Sequence, residues 1–246
     1  MRKKKVNYGI DSPAIVAILC FLGLALVLAG FRAGLRAHTA WRWFGYGFGA
    51  YFLLGAVGFL FYSKVGKLRL RDRLLGKIPW CGDERVLDVG CGRGLLTVGA
   101  AHRVPNGTVV GVDVWNPRAI SGNRAESVRE NAMIEGVGNR VEAKEGDARK
   151  LPFADGRFDV VVSNFVVHEL QARADREQMM REISRVLKPA GHVALVDFIF
   201  TDECVEDLRK FGVEAERTRD GSLSFWISAI LNFGATKTYH VIGRKN

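Results

Sequence analysis

This 246-residue chain predicts an α/β fold, a doubly wound parallel sheet preceded by a two-helix apolar hairpin. Three observations predict it. The run Val86-Leu87-Asp88-Val89-Gly90-Cys91-Gly92-Arg93-Gly94 joins apolar residues suited to a strand covered on both faces to a turn of alternating glycines, where a helix should begin. Further apolar runs follow at 107–114, 140–146, 158–163 and within 185–198, separated by turn residues. Two long charge-free stretches stand in front of them.

Ser12 to Phe31 is twenty residues without a charge and Trp43 to Ser63 is twenty-one, each near the length that crosses a bilayer as a helix. Spans at about 12–31 and 43–63 therefore define an N-terminal transmembrane hairpin, residues 1–63. A cleaved signal peptide is the competing reading of the first stretch, given the Arg2-Lys3-Lys4-Lys5 start, but its apolar core is long and a second stretch follows at once. Four basic residues precede the first span, three (Arg32, Arg36, Arg42) lie between the spans, and six lie from Lys64 to Lys77. The positive-inside rule then puts the N-terminus and the domain after the hairpin on the cytosolic side of an integral membrane protein. Gly45-x-x-x-Gly49 and Ala25-x-x-x-Ala29 permit close packing of the two helices.

Residues 64–79 form a basic amphipathic linker, with Val65, Leu68, Leu75 and Ile78 at helical spacing, and Pro79 closes it. Such a helix is expected to lie on anionic lipid, with Trp80 at the headgroup level; a solvated linker is the alternative. The globular domain is residues 80–246.

In that domain the glycine turn discriminates between ligands. A dinucleotide fingerprint needs Gly-x-Gly-x-x-Gly, and counting from Gly90 puts Leu95 at the last position. Asp88, Asp113 and Asp147 fall at the carboxyl ends of consecutive predicted strands, where open α/β sheets bind ligands. As strand-end caps or turn formers the same residues would need no ligand.

Asp88-x-Gly90-x-Gly92-x-Gly94 resembles the first motif of class I S-adenosylmethionine-dependent methyltransferases, and Gly146-Asp147-Ala148 resembles their adenine-binding turn. Leu151-Pro152-Phe153 and Leu187-Lys188-Pro189-Ala190-Gly191 resemble elements of the quinone C-methyltransferases and the small-molecule group around them, and Asp113-Val114-Trp115 with Ser121-Gly122-Asn123 is similar to membrane-tethered bacterial members. The resemblance spans roughly residues 83 to 200. It implies a Rossmann-like methyltransferase sheet of seven strands with S-adenosyl-L-methionine as cofactor. Asp88 with Gly90, Gly92 and Gly94 would hold the methionine end, Asp113 the ribose, and Asp147 and Ala148 the adenine, with Val114 also among the cofactor-binding residues. Asn164 and Phe165 would line the methyl-donor pocket.

Methyl transfer from a sulfonium needs the nucleophile, methyl and sulfur in line, so positioning and exclusion of water dominate. A hydroxyl or acidic carbon acceptor also needs a base. His168, four residues past Asn164, is the candidate, with a structural histidine at the next helix start as the competing reading. Glu169 reads as a solvated helix residue, and His192 and His240 as structural. No Asn-Pro-Pro-Tyr or Asp-Pro-Pro-Tyr stands at 163–166, which argues against enzymes acting on base or glutamine amines.

The formal charge of +10 is unevenly placed: residues 1–79 carry +11 and residues 80–246 carry −1. The domain lacks the basic footprint that phosphate contacts demand, so no nucleic-acid partner is expected. Cysteines at 20, 81, 91 and 204 have no metal-site spacing, and no metal is expected. Residues 211–246 should cover the far edge of the sheet and part of the acceptor pocket, with Phe225, Trp226, Ile227, Ile230, Leu231 and Phe233 reading mainly as core. The expected acceptor is a small, apolar or membrane-associated molecule, because tethering raises local concentration only toward the bilayer lipid. Two alternatives stand beside it: a noncatalytic membrane scaffold that binds the cofactor, and a membrane-bound methyltransferase of nucleic acid or protein.

Overall fold

The computed structural model describes residues 5–35, 39–116, 120–219 and 238–246. The first two helices, α1 (Pro13–Leu35) and α2 (Thr39–Phe61), pack along each other. Pro13 suits the first position of α1, where no amide partner is needed. Both helices are long and apolar enough to cross a membrane. They meet through glycine. Gly45 faces Gly30, and a Cβ on Gly45 would stand 2.6 Å from the Gly30 Cα, while Gly49 packs on Val27 and the Gly23 carbonyl. Only half of the expected small-residue pairing is therefore used: Gly45 and Gly49 close the interface against Gly23 and Gly30, whereas Ala25 and Ala29 are exposed.

Helix α2 does not end at the hairpin. It passes through a π turn at Tyr62–Gly66 directly into α3 (Lys67–Leu75). The buried residues of α3 and its exit are Leu70, Leu74, Leu75 and Ile78, which join Leu96, Val98 and Ala100 in one core cluster. This corrects the expectation of a lipid-lying linker: of the expected stripe Leu75 and Ile78 are buried in the globular domain and Val65 and Leu68 are half-buried, while Leu70 and Leu74, outside that stripe, complete the packed face. Trp80 is likewise turned inward: its indole N–H donates to the Leu75 carbonyl at 2.8 Å, a helix-end acceptor that also takes the Ile78 amide at 3.3 Å.

Seven strands form one sheet in the order β3-β2-β1-β4-β5-β7-β6. Strands β1 (Arg85–Val89), β2 (Thr108–Asp113), β3 (Val141–Glu145), β4 (Phe158–Asn164) and β5 (Leu187–Asp197) run parallel, and β7 (Tyr239–Lys245) is antiparallel between β5 and β6 (Val213–Arg219). Helices α4 (Leu95–Ala101) and α5 (Ala125–Ile134) follow β1 and β2, and α6 (Arg173–Val186) and α7 (Thr201–Lys210) follow β4 and β5. The apolar runs of the sequence fill two cores, one on each face of the sheet: Leu87, Val161, Met179, Ile183 and Leu195 on one side, and Val86, Val160, Val162, Ala194 and α4 on the other. Strand order reverses between β1 and β4, so a crevice opens at their carboxyl ends, as open α/β sheets require. The aromatic cluster expected at 225–233 lies outside the described residues.

Candidate active site

The turn after β1 is shaped by its glycines. Gly90, Gly92 and Gly94 have φ of 71°, 54° and 83°, which side-chain-bearing residues rarely adopt. At Gly90 the constraint is also spatial, since a Cβ there would fall inside the Val166 side chain. Amides of Gly90 and Cys91 both donate to the Val112 carbonyl at 2.8 and 3.1 Å, tying the turn to β2.

Asp113, at the end of β2, reaches across to this turn. Its Oδ2 accepts from the Gly92 amide at 2.8 Å, and its Oδ1 accepts from the Trp115 amide at 2.7 Å. Asp88 has a different place from the one expected. It is 1% exposed beneath the turn and accepts from the Thr97 hydroxyl at 2.6 Å. Burial pushes its carboxyl up to about 7 despite that hydrogen bond. Asp88 and Gly94 are therefore supports of the loop and do not reach the cavity wall, because Gly94 opens α4 as its N-cap. Cys91 is buried, and burial raises its thiol well above the usual range, in keeping with a packing role.

A cavity of about 440 Å³ gathers the remaining expected residues: Gly90, Gly92, Asp113, Val114, Asp147, Ala148, Asn164 and His168 all line it. Asp147 is engaged by Arg149, whose Nη2 donates to Oδ2 at 2.6 Å, and this pairing holds the carboxyl below its ordinary range. Arg149 also donates to Asp175 at 3.0 Å, so the turn at 146–148 is braced from α6.

After β4 the chain turns sharply at Phe165, a non-glycine residue at φ 55° whose amide donates to the Val196 carbonyl at 2.9 Å. A left-handed conformation in such a residue costs about 1–3 kcal/mol, and here it throws Phe165 and His168 toward the cavity. His168 Nδ1 lies 3.1 and 3.3 Å from the two oxygens of Asp197, the last residue of β5. The same carboxylate accepts from the His168 and Phe198 amides at 3.2 and 2.8 Å. Burial alone would lower the His168 pKa, but the Asp197 hydrogen bond and charge outweigh it and leave it raised. With Nδ1 directed at Asp197, Nε2 is the nitrogen left to face the cavity, and it stands 3.6 Å from Oε1 of Glu169, a carboxylate that lines the same cavity. His192 sits within β5 and His240 in β7, and neither lines the cavity.

Asp197 was missed in sequence, although it ends its strand in an acidic residue as Asp113 does. Also missed were residues 5–12, which lie over the cleft: Tyr8, Asp11 and Ser12 line the same cavity. Beyond the glycine turn and the strand-end carboxylates the cavity extends along Gly55, Gly58, Phe59 and Tyr62 at the end of α2 and its π turn.

The glycine cradle, the β2 carboxylate and the turn at 146–148 together fit a nucleoside linked to an amino acid, because they offer a bare loop and two acidic acceptors along one wall. Among the described residues no group of side chains is suited to hold a metal ion.

Comparisons with known proteins agree. Residues 87–195 match the profile of a family described as a methyltransferase domain. The 27-O-demethylrifamycin SV methyltransferase of Amycolatopsis mediterranei is 34% identical over 154 residues, covering 62% of this chain and 51% of that protein. A demethylmenaquinone methyltransferase of Lactobacillus johnsonii is 31% identical over 146 residues, covering 59% and 55%. The chain thus spans about half the length of the curated relatives it matches. A geranyl diphosphate C-methyltransferase from Streptomyces coelicolor, solved with S-adenosyl-L-homocysteine, shares the fold with a TM-score of 0.57 at 14% identity, covering 72% of this chain and 79% of that one.

Proposed function

Taking residues 87–195 as an S-adenosylmethionine-dependent methyltransferase domain, we propose that the protein is anchored in a membrane by α1 and α2 and methylates a small, lipid-soluble or membrane-associated acceptor. The observation that carries this reading is the continuity of one cavity, from Asp147 and Ala148 through His168 to Gly55, Gly58 and Phe59 near the end of α2. An acceptor dissolved in the bilayer would meet the cleft from that side without crossing water. The basic residues before, between and after the two helices support a cytosolic position for the N-terminus and the catalytic domain.

When bound, S-adenosylmethionine supplies an electrophilic methyl group on a sulfonium. The turn at Gly90–Gly92 would hold the methionine portion by close backbone approach, Asp113 would hold the ribose with Val114 beside it in the cofactor site, and Asp147 and Ala148 would hold the adenine. Asn164 and Phe165, which line the cavity, would wall the transferable methyl from water and so strengthen the electrostatic contacts in the cleft. His168 Nε2 would take the proton of the acceptor during methyl transfer, leaving the acceptor atom free to bond to the methyl that the sulfonium gives up. Asp197 holds the imidazole with its Nδ1 proton directed inward and stabilises the imidazolium that results. This base suits a hydroxyl or an acidic carbon acceptor; a neutral amine would not need it.

The test is to incubate membranes holding the protein with methyl-labelled adenosylmethionine and separate solvent-extractable from precipitable label. Label in the organic extract, lost in His168→Ala, supports the reading. Label in precipitated macromolecules would instead support a nucleic-acid or protein substrate, and absence of transfer despite cofactor binding would support a scaffold.

A further inference from the structure

The segment before the first long helix is built into the cofactor cleft. Asn7 exchanges two hydrogen bonds with Asn131 on α5: the Asn7 amide donates to Oδ1 at 2.9 Å, and Nδ2 donates to the Asn7 carbonyl at 3.0 Å. The same Nδ2 donates to the Arg93 carbonyl at 2.9 Å, inside the glycine turn. Arg93 answers with Nε donating to the Asn7 carbonyl at 2.8 Å and Nη1 to the Ser121 carbonyl at 2.8 Å. One residue pair further on, the Ile10 amide donates to Ser121 Oγ at 2.9 Å, and Asp11 bridges to Ile120 in a strand-like contact. Tyr8 is 6% exposed and packs in the core beside Leu70 and Leu74.

One side chain fastens this segment to α3. Lys67 is 4% exposed, and its ammonium donates to the Tyr8 carbonyl at 2.8 Å, the Gly9 carbonyl at 3.0 Å and Asp11 at 3.3 Å. Three acceptors match its three protons, which is what a buried ammonium needs to remain charged. Gly9, at φ 79°, lets the chain bend over Arg93, where a Cβ would stand 2.9 Å from the Arg93 Cδ.

We propose that residues 5–12 are a strap that retains the cofactor, and that Lys67 is the positioning residue that locks it down. Tyr8, Asp11 and Ser12 line the same cavity as Gly90, Gly92 and Asp113, so opening the strap exposes the bound nucleoside and leaves Arg93 held only by the Ser121 and Gly122 carbonyls. The two chain segments that join the hairpin to the domain, before α1 and after α2, are thereby tied to each other at the cofactor. Removal of the first helix as a leader would remove the strap with it. This inference rests on the cofactor site alone and needs no acceptor.

The test uses the full chain in detergent or nanodiscs with S-adenosyl-L-homocysteine as ligand. Amide exchange at residues 7–11 reports the strap, and stopped-flow dissociation reports retention. In Lys67→Met both should change together: the amides lose protection, and dissociation accelerates about tenfold or more, a change of about 1.4 kcal/mol or more. Lys67→Arg, still cationic, should restore part of each. Gly9→Ala attacks the strap from its own side without touching the sheet and should behave like Lys67→Met. Released amides with unchanged dissociation in both Lys67→Met and Gly9→Ala would overturn the retaining role, and protected amides in Lys67→Met would overturn the role of Lys67.

Discussion

His168 and Asp197 are joined twice, through the imidazole Nδ1 at 3.1 Å and through the His168 backbone amide at 3.2 Å. The second contact matters because it fixes the start of the turn that carries the ring, so ring and backbone are set by one carboxylate. Asp197 itself is immobilised at the end of β5, 1% exposed and bonded to the Phe198 amide. Phe198 stacks on the imidazole at 4.6 Å between centroids, which leaves the ring little freedom to rotate.

Under this arrangement, His168→Ala and Asp197→Asn should both lower kcat, by about 10²–10⁴-fold for loss of the base, while equilibrium binding of S-adenosylhomocysteine stays near wild type. Titration calorimetry alongside steady-state rates separates the two effects. Equal losses in binding and rate would mean the pair is structural.

The same pair sets a pH dependence. His168 accepts a proton only when neutral, and its pKa is raised above the ordinary 6.5, so the rate should climb with pH on an ascending limb above that value. Asp197→Asn removes the hydrogen-bonded charge that does most to raise it, leaving burial, which lowers it, opposed only by the smaller influence of Glu169. The limb should then move to lower pH even as the maximum rate falls.

Asp113→Ala should weaken cofactor binding by about 1–3 kcal/mol through lost hydrogen bonds. Because Asp113 also accepts from the Gly92 amide, the turn should loosen in the ligand-free protein too, visible as faster amide exchange at Gly92. Unchanged affinity would overturn the ribose assignment.

Gly90→Ala should be far worse than Gly92→Ala for folding. At Gly90 the new methyl collides with Val166, whereas at Gly92 the nearest atom outside the turn is 3.9 Å away and only the φ of 54° resists. We expect a loss of about 1–3 kcal/mol for the strained backbone at Gly92 and a larger loss at Gly90. Thermal unfolding with and without S-adenosylhomocysteine distinguishes them.

Asp88 gives a stability prediction with a definite sign. Its folded pKa, about 7, lies above the ordinary 3.8, so the native state binds more protons than the unfolded chain between those values. Stability from this group is full at low pH and is lost as pH rises through about 7. Asp88→Asn should flatten that decline in unfolding measured from pH 4 to pH 8.

Much of the site was legible because it is local. Strand, glycine turn and terminal carboxylate follow one another within a few residues at 86–94 and 107–114, and their periods reveal them. The His168–Asp197 contact depends instead on the register of β4 against β5, where Asn164 pairs with Val196, and no local pattern encodes a register. The strap is still less visible, since Asn7 and Asn131 are 124 residues apart. For α3, amphipathicity correctly required that one face be covered but did not say by what; Leu70 and Leu74 found the domain and not lipid. The burial of Asp88 was not legible because a motif position carries no burial, and only the packing of α4 over β1 reveals that it faces Thr97.

The unbroken passage of α2 through the π turn into α3 has a consequence for which molecules can react. A flexible linker would let a catalytic head roam over the surface, sampling targets at many heights. A rigid helical stem sets the altitude of the cleft once, so in a bilayer-anchored chain discrimination among otherwise similar compounds would come from how deeply each one floats.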